Sequence, residues 1–116
     1  MYEDHVLEHY QDPFHKDVSL GDPTHVVESV SDICGDGVTI YLKIHGDLIE
    51  EIWWSGDGCC FSQAAASMVC EHFHGKTLDD VREFDQDKML DLFRAEVSNS
   101  RLGCVMVAYN AMKELV

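Results

Sequence analysis

The sequence predicts an α+β fold, a three-stranded antiparallel sheet packed in two layers against about four to five helices. Three observations lead there. Val38, Ile40, Leu42 and Ile44 alternate with Thr39, Tyr41, Lys43 and His45, the period of a half-buried strand. Turn residues rich in glycine stand on both sides of that segment. From Phe61 onward the apolar residues recur at helical spacing instead.

Taken in order, residues 2–11 read as a short helix, with Tyr2, Val6, Leu7 and Tyr10 near helical spacing and Pro13 stopping it. Residues 12–25 carry Pro13, Gly21, Asp22 and Pro23 and read as a loop. Val26–Val30 leads through Ile33 into the turn Cys34-Gly35-Asp36-Gly37, and the alternating strand follows. His45-Gly46-Asp47 turns the chain into a third strand, Leu48–Trp54, whose Trp53 and Trp54 face opposite ways, one to the core and one available to solvent. Phe61, Ala64, Ala65, Met68 and Val69 form one helical stripe, capped at Gly75. Thr77 and Asp80 form a capping pair for a short helix, residues 86–96 make another, and Leu102 to Lys113 the last. Residues 1–116 thus read as a single domain, without repeats or linkers.

Charge narrows the functions. Eight Lys and Arg against 22 Asp and Glu give a net charge of −14. Such a surface repels phosphate backbones, so no nucleic-acid partner is expected. No apolar run has the roughly 18 residues of a membrane span. Met1–His5 lacks the basic head and apolar stretch of a signal peptide, so the expected location is the cytoplasm. The acidic run Glu83, Asp85, Asp87 and Asp91 reads as a solvated face.

The five cysteines, at 34, 59, 60, 70 and 104, are odd in number and lack a secretory context. They read as thiols or metal ligands rather than a disulfide framework, and spacing alone leaves ligands and buried thiols both open. Cys34 and Asp36 lie two apart in a glycine-flanked turn. Cys59 follows Gly56-Asp57-Gly58 and opens a helix, and Cys104 lies near the start of the last one. A helix N-terminus favours thiolate, the form that binds metal and attacks sulfur. Cys60 diverges from Cys59 by about 100° on a helix, so the two are not expected to face one site. Cys70 reads as core. His5 and His9 have i, i+4 ligand spacing but read as surface, and His72 and His74 as partners of a helix dipole.

Five stretches carry more than their chemistry. They are Tyr2–Tyr10 followed by Asp12-Pro13; Cys34-Gly35-Asp36; Gly58-Cys59 with Ser62 and the small run Ala64–Met68; Gly75–Val81; and Arg101-Leu102-Gly103-Cys104 with Ala108, Ala111 and Met112 beyond. In this order they resemble the U-type iron–sulfur scaffold proteins, the IscU family and the N-terminal domain of NifU. The resemblance implies Cys34, Cys59 and Cys104 as thiolate ligands and Asp36 as a fourth, labile one. It implies a transient [2Fe–2S] cluster, sulfur delivered by a cysteine desulfurase to Cys104 or Cys59, and iron–sulfur acceptor proteins downstream, with no enzymatic turnover by the chain itself. The same Cys₃Asp set is close to a tetrahedral zinc site, which gives a second expectation: a zinc-bound sulfur acceptor.

The sequence also departs from that pattern. Glu96–Arg101 stands where chaperone-served members carry a Leu-Pro-Pro-Val-Lys segment, which argues against release by an Hsp70-type chaperone. Gly103 replaces the usual basic or imidazole residue, and Phe14-His15 replaces Asn-Arg. The 45-residue step from Cys59 to Cys104 leaves no room for the long insertion of the SufU type.

Overall fold

The computed structural model describes residues 2–31 and 35–116. In chain order the elements are α1 (Tyr2–Gln11), β1 (His25–Val30), β2 (Gly37–His45), β3 (Leu48–Asp57), α2 (Cys60–Phe73), α3 (Leu78–Glu83), α4 (Gln86–Phe93) and α5 (Asn99–Lys113). The strands form one antiparallel meander in the order β1-β2-β3. The predicted fold class therefore holds, with two layers: sheet on one side, helices on the other.

The alternation in β2 works as expected. Val38, Ile40 and Leu42 are buried, and Ile40 pairs with Val27 and Trp54 across the sheet. Over this face lies α2, with Ala64, Ala65 and Ala66 all fully buried; small side chains let α1, α5 and the sheet approach its axis closely. Phe73 and Phe93 fill the far end of the core. Among the described residues no helix is long and apolar enough to cross a membrane. The acidic residues Glu83, Asp85, Asp87 and Asp91 are all exposed, as expected.

Three expectations need correction. Trp53 is not available to solvent: it is 4 % exposed and stacks on Tyr41, which pairs with it across β2–β3, while Trp54 is fully buried. The loop 12–25 is irregular as expected, and it also reaches the sheet. Trp54 N–H donates to His15 O (3.1 Å), Asp17 N–H donates to Trp54 O (2.8 Å), and Trp54 Nε1–H donates to Phe14 O (2.8 Å). The loop thus straps the edge of β3 and hides it from other chains. The helix expected over 86–96 ends at Phe93, because Arg94 turns left-handed at φ 60°. His72 packs on Phe73 and Phe84, and burial lowers its pKa, so it is held neutral rather than charged against a helix dipole.

A clasp joins α1, the strap and α2. Ser67 Oγ accepts Phe14 N–H (2.8 Å) and shares a hydrogen bond with His9 Nδ1 (2.8 Å). Burial lowers the His9 pKa below 6.5, with Glu71 opposing and His5 assisting. A depressed histidine binds fewer protons folded than unfolded, so its contribution is complete above pH 6.5 and is lost as pH falls through the lowered value. Stability measured by urea titration is expected to decline below pH 6.5, and His9→Gln to flatten that decline.

Candidate metal centre

One end of the sheet gathers three chain segments. Ser31 N–H donates to Asp36 O (2.7 Å) and Gly35 N–H to Ser31 O (2.9 Å), which closes the β1–β2 connection and seats Asp36 just before β2. Gly37 pairs with Asp57, so Gly58 and Cys59 arrive beside Asp36 at the end of β3. Arg101 at the start of α5 lies over Phe61 (5.5 Å), which brings the opening of α5 to the opening of α2.

Cys59 is the N-cap of α2 and makes no side-chain cap bond, so its sulfur is not engaged with the helix it opens. Asp36 serves that end of the chain instead. Its Oδ1 accepts Cys59 N–H (3.1 Å) and its Oδ2 accepts the Cys59 thiol (3.3 Å). Asp36 is 2 % exposed, and a buried carboxylate needs such donors. Cys104 is 3 % exposed, and the donor atoms of Asp36, Cys59 and Cys104 all lie within 4.8 Å of one another. These are the one group of three or more such residues close enough to share an ion among the described residues.

Cys34 lies outside the described residues, as do Ile33 and the side chain of Tyr2. Cys104 lies beside Asp36 and Cys59 but sits in the second turn of α5, which begins at Asn99; the expected help from a helix N-terminus belongs to Cys59 and not to it. Cys60 turns away, exposed, into a groove of about 400 Å³ shared with Val6, Leu7, Tyr10 and Phe61. Cys70 is fully buried, and burial pushes its thiol pKa far up, which makes it an inert core residue. His5 and His9 are engaged with Leu92 O (3.3 Å) and Ser67.

The surroundings suit a soft cation. Thiolates and a carboxylate crowded in a buried place repel one another unless a cation joins them. A side chain cannot enter between Gly58 and Asp36: a Cβ on Gly58, at φ +149°, would fall inside contact distance of the Asp36 carboxylate and 2.6 Å from Ser62 Oγ. That cradle keeps the carboxylate and the Cys59 amide together. A 4.8 Å span matches the sphere of one ion, whereas a two-iron core spreads its ligands over two metals.

Sequence reasoning missed one residue here. Gln63, one turn into α2, is 4 % exposed, and neither its Oε1 nor its Nε2 has a hydrogen-bond partner among the described residues. The available signal was a long amide immediately before the small apolar run of Ala64, Ala65 and Ala66, four positions after Cys59.

Comparison with known proteins agrees with the architecture. Residues 1–116 match the family described as NifU-like N terminal domain. The chain is 34 % identical over 79 residues to the zinc-dependent sulfurtransferase SufU of Bacillus subtilis, covering 68 % of this chain and 52 % of that protein. It is 28 % identical over 117 residues to the iron-sulfur cluster assembly scaffold protein IscU 1 of Archaeoglobus fulgidus, covering 100 % of this chain and 74 % of that one. The N-terminal structure of a NifU-like protein from Brucella abortus superposes with a TM-score of 0.78 at 20 % identity, over 97 % of this chain and 90 % of the other, which speaks to fold alone.

Proposed function

The chain belongs to the NifU-like N-terminal domain family, and on that premise we propose that it is a non-enzymatic scaffold on which a [2Fe–2S] cluster is built and then passed on. The observation that carries the proposal is the convergence of Asp36, Cys59 and Cys104 within 4.8 Å at the end of the sheet. Cys34, two residues before Asp36, completes the proposed ligand set. A cysteine desulfurase supplies sulfur to Cys59 or Cys104, and an acceptor protein takes the cluster. Cys59 is the more accessible of the two thiols, half-buried where Cys104 is buried.

Asp36 supplies the lability. Its carboxylate is harder than a thiolate and holds iron less firmly. It also sits 3.3 Å from Cys59 Sγ, where a carboxyl can return a proton to the thiolate and loosen it from metal. Asp36→Ala is therefore expected to lengthen the lifetime of the bound cluster several-fold, while the metal-free protein loses about 1–3 kcal/mol with the unpaired Cys59 amide. Decay of visible absorption under a chelator measures the first and thermal unfolding the second. An unchanged or shorter lifetime would count against Asp36 as the labile ligand.

A second reading has its own support. The 4.8 Å span suits a single ion, and the Bacillus relative is a zinc-dependent sulfurtransferase. In that reading Cys34, Asp36, Cys59 and Cys104 hold zinc, which when bound keeps the thiols deprotonated at neutral pH. Stoichiometric zinc with desulfurase stimulation, and no cluster on reconstitution, would favour it.

A further inference from the structure

We infer that Gln63 is a hydrogen-bond donor to the cargo, a residue partnered only when the site is loaded; this rests on the metal-binding reading above. Gln63 is 4 % exposed with both amide atoms unpartnered, the one side chain in that condition among the described residues. Buried polar groups are nearly always paired, so an orphaned carboxamide in the first turns of α2 needs a reason.

Its place on the helix supplies one. Four residues separate it from Cys59, so the two share a flank of α2. Helical side chains lean toward the N-terminus, which carries the Gln63 amide back along the rise of about 6 Å toward Cys59. In the metal-free protein the Cys59 S–H donates a hydrogen bond to Asp36 Oδ2 (3.3 Å). A sulfur held by a metal would be an acceptor for an N–H donor. Gln63 Nε2–H then has a sulfur to donate to, either Cys59 Sγ or a sulfide of the cargo. Hydrogen bonds to sulfur steady a cluster and raise its potential by stabilising the more negative, reduced form.

The inference has two signatures of opposite sign. Gln63→Leu removes an unsatisfied amide from an apolar run, so the metal-free variant is expected to unfold at the same temperature as wild type or higher. The loaded site weakens: Co²⁺ titration, read by thiolate-to-cobalt charge-transfer absorption, is expected to show about tenfold lower affinity. Gln63→Glu keeps the shape, removes the donors and is expected to weaken cobalt binding at least as much. On the reconstituted cluster, Gln63→Leu is expected to lower the midpoint potential. Wild-type cobalt affinity in Gln63→Leu with a lowered metal-free unfolding temperature would identify a buried water as the amide's partner and overturn the inference. Wild-type protein that binds neither cobalt nor a cluster would overturn the metal-binding reading and this inference together.

Discussion

Gly58→Ala is expected to abolish cargo binding and to lower the unfolding midpoint by roughly 10–15 °C. Two costs combine. At φ +149° an L-residue is strained, by about 1–3 kcal/mol. The new methyl also meets the Asp36 carboxylate, its Cγ at 2.5 Å, and Ser62 Oγ at 2.6 Å, and overpacking of that kind adds about 1–3 kcal/mol. Relief requires Asp36 to move, which breaks its bonds to the Cys59 amide and thiol. The damage therefore falls on the site as well as on stability. Gly46→Ala makes a useful contrast: it also sits at positive φ, 65°, but nothing lies within 4 Å of the added carbon. It should cost stability and leave metal binding intact. Thermal unfolding and Co²⁺ titration of the two variants check the pair.

Cys59→Ala and Cys104→Ala are each expected to weaken metal binding by about 10²–10³-fold, while Cys60→Ala and Cys70→Ala leave it unchanged. Thiolate-rich structural sites supply about 10–16 kcal/mol, so one donor in four carries about 3–4 kcal/mol. At about 1.4 kcal/mol per tenfold, that is two to three decades of affinity. Cys60 is the demanding control, since it is the chain neighbour of Cys59 and exposed, yet it lies outside the converging set. Cys70→Ala should instead lower stability by about 1–2 kcal/mol, by the cavity it leaves in the core.

Much of this molecule was legible in the sequence because local signals and tertiary outcome agreed. The strict alternation of Val38 to His45, the turn glycine at 46 and the Thr77–Asp80 capping box each state their own structure, and each was found where expected. The site was legible through motif order more than through spacing: nothing in the interval between residues 36, 59 and 104 says that the chain brings them within 4.8 Å. What sequence could not show depends on contacts between distant segments. Trp53 is buried because Tyr41 stacks on it across the sheet, whereas strand alternation alone left one of Trp53 and Trp54 available to solvent. The strap of residues 14–17 on β3 rests on left-handed backbone at His15 and Asp17, residues with no glycine to announce the turn. The start of α5 was misjudged because Asn99, Ser100 and Arg101 are polar and exposed, so apolar periodicity begins only at Leu102. That shift moved Cys104 from a helix start to a second turn and changed the reason for its place in the site.

The central claim is that this chain holds an assembling cluster on Cys34, Asp36, Cys59 and Cys104. The most direct test is anaerobic reconstitution of wild type and Cys34→Ala with ferrous iron, cysteine and a catalytic amount of desulfurase, followed by visible absorption. The charge-transfer bands of a [2Fe–2S] centre are expected on wild type and their loss in the variant. A wild-type protein that stays colourless, or a Cys34→Ala protein that colours equally, would contradict it.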